Sequence, residues 1–158
     1  MTTDAYTLLR LIHILSAAVL FGTGLGIAFF MWTAHRSRDV AAIAMTMRNV
    51  VIADFAFTAV AVVVQPLTGW LLIRLAGHDP FAPWLVVSYA LYVVTGLCWL
   101  PVVWLQFRLR DLAMAAADAK AELPPLYFSH MRLWFLLGWP AFVSVLAIYA
   151  LMVLRPEG

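Results

Sequence analysis

The chain has 158 residues, of which 65% are hydrophobic and 11% charged, with a formal net charge of +2. A soluble domain is about 45–50% apolar and about 25% charged, so this composition cannot cover a water-facing surface and marks an integral membrane protein. No basic patch stands out that would read nucleic acid, so the lipid bilayer is the expected partner and nucleic acid is not.

In chain order, residues 11–34, 55–73, 81–107 and 133–154 contain no Asp, Glu, Lys or Arg. Each reaches the roughly 20 apolar residues of a spanning helix, and only helix satisfies the backbone of such a segment in lipid. The expected spans are about 6–33, 48–75, 82–108 and 127–154, forming one all-α membrane domain, a four-transmembrane-helix bundle. The first run lacks a basic n-region and is about twice the length of a signal-peptide core, so it is expected to be retained. Arg36, Arg38 and Arg48 flank the first connection, and Arg108, Arg110, Lys120 and Arg132 the third, which places seven of the ten basic residues on one side. The positive-inside rule makes that side cytoplasmic and puts both termini on the outer side of a multi-pass protein. Trp32, Trp70, Trp84, Trp104 and Trp134 fall near span ends, as an aromatic belt does. The third connection, "RDLAMAAADAKAELPP", reads as a separate Ala-rich helix stopped by Pro124 and Pro125, with a solvated charged face. Pro66, Pro101 and Pro140 fall inside spans 2, 3 and 4, where each removes a backbone donor.

The first span carries "GTGLGI", which lacks the last glycine of a dinucleotide fingerprint and follows no strand. Ala18, Gly22 and Gly26 instead recur every fourth residue, a small-residue seam for helix packing and for a homo-oligomer. That seam lies roughly opposite His13, whose own face carries Arg10, Ala17, Leu20 and Gly24. Gly24 there leaves room for a flat ligand, although an ordinary helix contact explains it equally.

One-sided polar residues mark the other spans. Asp54, Thr58, Ala61, Gln65 and Thr68 share a face of span 2, and Ser88, Tyr92, Thr95, Trp99 and Gln106 a face of span 3. On span 4 they are His130, Trp134, Ala141 and Ser144. Such faces line a bundle interior, as hydrogen-bonding glue or as a site. Counting at 1.5 Å per residue puts His13 roughly 13 Å from the outer side, level with Tyr92, Trp139 and Gln65. Asp54 then lies about 10 Å and His130 about 7 Å from the inner side, an inner group with Arg48 and Arg132 in reach. Cys98 is alone, so no disulfide forms within the chain, and it reads as a packing residue.

The segment "LRLIHILSAAVLFGTGLGIAFFMW", followed by "QPLTGWLL", resembles the bacterial integral membrane family called domain of unknown function 2269, over essentially the whole chain. That resemblance implies the bacterial cytoplasmic (inner) membrane and no established activity. The histidine in an "LHIL"-like context is also similar, more loosely, to the HemJ-type protoporphyrinogen oxidases and the CopD-type copper resistance proteins. In the HemJ-type family the first-span histidine is implicated in haem binding, which maps here onto His13. The similarity implies haem b held by His13; Arg10 and Gly24 on the same helix face and Tyr92 at the same level are the residues expected around it. His78, whose loop is on the same side, is the candidate second metal ligand. The basic motif of those oxidases has no counterpart, since the single lysine, Lys120, lies in the third connection.

Three classes of function follow from the residues and these resemblances. One is a haem protein for electron transfer or porphyrin chemistry through His13. Another is a channel or carrier for a small solute, ion or metal, leaning on Asp54, Gln65 and the prolines. The last is a non-catalytic assembly subunit using the Ala18–Gly22–Gly26 seam. His13 itself reads as a hydrogen-bonding group, a ligand or a proton relay, and Asp54 with His130 as a structural pair or a proton path.

Overall fold

The computed structural model describes residues 2–155, which fold into five α-helices: α1 (Thr2–Ser37), α2 (Val40–Ala53), α3 (Ala59–Ala76), α4 (Pro83–Asp118) and α5 (Pro125–Leu154). A π-helical turn, Asp54–Thr58, joins α2 to α3 without a break. The result is four rods, each long and apolar enough to cross a membrane.

Local chemistry sets the reversals between rods. The Asp39 carboxylate accepts the backbone N–H groups of Ala41 at 2.9 Å and Ala42 at 3.2 Å, capping α2. Gly77 closes α3 in the left-handed region at φ 69°, where a Cβ is strained. Pro83 and Pro125 open α4 and α5, where the missing N–H costs nothing. Four antiparallel rods bring the start of α1, the end of α5 and the loop at 77–82 to one end, here the terminal end. The turn at 38–39 and the connection at 119–124 form the connection end.

The rods pair as two hairpins. One is α1 against α2 and α3; the other is α4 against α5. In the connection half α2 docks on α4, and an apolar core closes around Met31, Ile43, Met47, Leu105, Leu109 and Met131, all at most 2% exposed. In the terminal half α3 and α4 make no extended backbone contact, so the hairpins splay.

Two rows of aromatic–cation pairs mark the depth of the bundle. Arg36, Arg74 and Arg108 each lie over a tryptophan four residues earlier, Trp32, Trp70 and Trp104, at 5.0, 5.8 and 5.5 Å from the ring centroid. Arg155 covers Trp84 at 5.8 Å. A ring that is half apolar with a cation over its face suits the membrane–water boundary. Twenty residues separate Trp84 from Trp104 on α4, about 30 Å of helix, which is the thickness of a hydrocarbon core.

The third connection differs from its expected form. Leu109 to Asp118 continue α4 rather than forming a separate helix, and the helix stops before Lys120, at φ 51°, well short of the prolines. Leu109, Ala113 and Ala116 are buried in the connection half, so one face of this segment packs while Arg110 and Asp111 pair at its side, 2.7 Å apart. Spacings of four and three residues put those apolar groups on one stripe, which outweighs the polar composition.

Candidate functional site

The splayed terminal half encloses a void of about 320 Å³ lined by all four rods, within the usual size range of ligand pockets. Its volume comes partly from missing side chains. Gly24 on α1, Gly96 on α4 and Gly138 on α5 all line it, and at each the place a Cβ would take has no atom within 4 Å. The walls are apolar and aromatic, with Phe21 stacked on Phe142 at 5.2 Å between centroids where α1 faces α5. Leu25 and Trp139 belong to the lining yet are 49% and 66% exposed, so the void opens sideways between α1 and α5 toward lipid.

The floor, toward the connection half, is polar. The π turn turns Asp54 and Thr58 inward, while Phe55 and Phe57 point out to lipid. Such turns insert one residue into an α-helix and recur at functional sites. Asp54 and Gln106 are each 3% exposed and Trp134 4%. The Thr58 hydroxyl and the Trp99 indole N–H approach the Asp54 carboxyl. None of Asp54 Oδ2, Thr58 Oγ1, Trp99 Nε1 or Trp134 Nε1 completes a hydrogen bond, though all four are buried. An unmade bond at such depth costs about 1–3 kcal/mol per group, so four together at one place make this floor the candidate site. Asp54 also lacks a cation: among the described residues the one ion pair joins Arg110 to Asp111.

Two tyrosines strap the hairpins together across the void. The Tyr92 hydroxyl donates to the Val62 carbonyl, and the Tyr149 hydroxyl donates to the Ala17 carbonyl. Val62 is the residue whose helical partner would be the N–H of residue 66, and Pro66 has none. Tyr92 therefore supplies the donor that the proline removed.

His13 belongs to the α1–α3 seam, above the void. The Thr68 hydroxyl donates to the Val64 carbonyl at 2.7 Å, so it accepts from His13 Nδ1–H, 2.8 Å away. That assigns the lone pair to Nε2. The Gln65 amide donates to the His13 carbonyl at 2.8 Å and to Ser16 Oγ at 2.5 Å, fastening α1 to α3 again. Gly69 faces the ring, and a Cβ there would lie 3.4 Å from His13 Cε1, in van der Waals contact with no room beyond it. Gly69→Ala is expected to leave thermal stability nearly unchanged, whereas Gly69→Val forces the ring aside and costs about 1 kcal/mol in a denaturation series. Equal effects of the two substitutions would show that the close approach is not a constraint.

These placements sort the residues singled out by sequence. Asp54, Gln65, Tyr92, Gln106 and Gly24 converge on the void. His13 does not line it, and its level changes too: Thr68 is six residues beyond Val62, so His13 sits about 9 Å nearer the terminal end than Tyr92. Arg10 is exposed, and His78 packs edge-on against Trp84 at 5.9 Å, not with His13. His130 is turned edge-on to Trp104 at 5.7 Å with its Nδ1 buried and unbonded, it neither pairs with Asp54 nor lines the void, and Arg48 and Arg132 are exposed. Within the chain no helix covers the Ala18–Gly22–Gly26 seam, because α3 packs on the His13 side of α1 instead. Ala18 and Gly22 are exposed, and Gly22 and Gly26 have nothing within 4 Å of a would-be Cβ.

None of the four histidines lines the void, so a porphyrin seated there meets no axial imidazole. Among the described residues no three His, Cys, Asp or Glu side chains come together as a metal site.

Compared with known proteins, residues 7–156 match the family model described as "Predicted integral membrane protein (DUF2269)". No curated protein and no solved structure matches the chain.

Proposed function

Taking as premise that the chain belongs to this family of predicted integral membrane proteins, we propose that it captures a small lipophilic molecule from within the bilayer and holds it between its two hairpins. The observation that carries the reading is the void itself, apolar in its walls, polar at its floor and open to lipid between α1 and α5. An apolar body leaves the acyl chains at little cost, while a polar head gains partners that hydrocarbon cannot offer. The connection half is packed shut by residues such as Met47 and Leu109, which supports capture from the side over a continuous water path.

The surrounding arrangement is part of the same proposal. Seven of the ten basic residues gather toward the connection end, which supports a cytoplasmic-membrane protein with that end inside. The uncovered seam of Ala18, Gly22 and Gly26 leaves room for a second copy and so supports a homo-oligomer.

The test is binding of 1-dodecanol to the protein in neutral phosphatidylcholine nanodiscs, with a void-filling Gly138→Leu variant as the background. Wild-type protein is expected to take up saturable ligand above that background, and Gly138→Leu to keep its helicity and thermal transition. Equal uptake by the two proteins overturns the proposal.

A further inference from the structure

Resting on that lateral-capture reading, we infer that the head group the floor selects is a cation, and that the ligand class is a lipophilic amine. The floor holds a carboxylate, Asp54, 97% removed from solvent and without an Arg, Lys or His partner among the described residues. Ionisable groups inside a membrane pair with one another or mark the path of a charged substrate. The first alternative is absent among the described residues, because no Arg, Lys or His pairs with Asp54. Arg36 and Arg108 lie over tryptophans, Arg110 pairs with Asp111, and Arg48 and Arg132 are exposed.

The walls make the same choice. Trp99 and Trp134 border the floor, and Phe21, Tyr92, Phe142 and Tyr149 stand above it. Aromatic faces attract an ammonium group through their negative quadrupole, and the attraction grows as water is excluded. An anionic head would meet Asp54 directly and be repelled. A neutral acceptor such as a carbonyl would use the indole N–H groups and leave the carboxylate unmatched. A protonated amine answers the carboxylate: its N–H groups donate to Asp54 Oδ2 and its charge lies among the rings, while it offers the indole N–H groups no acceptor. Its alkyl body then fills the void and leaves through the opening beside Trp139.

The orientation is fixed by the same geometry. Trp99 stands five residues above Trp104 on α4, so the head lies about 7 Å inside the connection-end boundary. The tail runs back toward Gly24 and Gly138, where the glycines leave room.

The experiment compares dodecylamine, 1-dodecanol and dodecanoate on one alkyl chain, in neutral phosphatidylcholine nanodiscs at about pH 8, where the amine is still protonated. Wild-type protein is expected to bind the amine at least about tenfold more tightly than the alcohol, and dodecanoate weakest. In Asp54→Asn the amine is expected to lose its tenfold advantage and to bind no more tightly than the alcohol, whose saturable uptake above the Gly138→Leu background reports an intact void. Equal affinity of amine and alcohol in the wild type overturns the inference, as does an amine preference that survives Asp54→Asn. If Asp54→Asn fails to fold, the three-ligand series on the wild type decides alone. If no ligand binds above the Gly138→Leu background, it is the lateral-capture reading that fails.

Discussion

Replacing Tyr92 with phenylalanine is expected to destabilise the folded protein by about 1–3 kcal/mol, and the loss should shrink sharply when Pro66 is alanine. An average hydrogen bond between membrane helices is worth only about 0.6 kcal/mol, because the separated helices find other partners. The Val62 carbonyl is a special case, since Pro66 has removed the helical N–H it would otherwise accept. Without the Tyr92 hydroxyl it faces an apolar wall with no donor, and the cost rises toward that of an unsatisfied buried acceptor. Alanine at position 66 restores the backbone donor inside α3. Tyr92→Phe then removes a second partner rather than the only one. Reversible unfolding in mixed micelles of the four proteins of this cycle gives the coupling directly. A Tyr92→Phe cost that is the same in both backgrounds would break the link between the proline and the tyrosine.

The pairing of Pro66 with Tyr92 shows what was legible in the chain and what was not. Four charge-free runs dictate four spans, because a bilayer leaves no other home for them, and the structure has four helical rods of that length; the family match agrees that the protein is a membrane one. The polar faces of spans 2 and 3 were legible from spacing, and most of the floor, Asp54, Thr58, Trp99 and Gln106, comes from them. The division of the span 2 stripe was not. Asp54, Thr58 and Gln65 reach the void, while Thr68 turns to His13 and Ala61 is buried outside the lining. A π turn in "DFAFT" adds a residue to the helix there, and nothing in that segment, neither proline nor glycine, announces it.

Glycine was the least transferable signal. The regular series at 18, 22 and 26 invites a packing seam, yet among the described glycines the one whose Cβ would touch a neighbour is Gly69, isolated in "LTGWLL" and facing His13. Gly96 and Gly138 gain meaning only when the facing helices are known, since a lone glycine in a span has no partner written beside it. Depth suffered similarly. Counting inward from Asp4 overestimates how deep His13 lies, because α1 begins at Thr2 and its first turns project beyond the Trp70 and Trp84 row. The histidine that sequence favoured as a ligand is therefore near the boundary, and the acidic group further in carries the site.

That distinction yields a prediction whose sign separates structure from function. Asp54→Leu is expected to stabilise the folded protein by about 1–3 kcal/mol, the cost of a buried polar group left without its bond. Removing a carboxyl engaged in holding helices together would act in the opposite direction, as loss of a buried partner does. Here Asp54 Oδ2 has no hydrogen bond, and neither Thr58 Oγ1 nor Trp99 Nε1 completes one toward it. Leucine keeps the apolar contacts and has space on the void side. Loss of the carboxylate removes the only acidic group among the described residues that lines the void. A higher midpoint of unfolding in mixed micelles, together with lost amine selection, would mark Asp54 as a group kept for binding at the expense of stability, as functional sites commonly are. A lower midpoint would assign Asp54 to the joint between α3 and α4, with Thr58 and Trp99 as its structural partners.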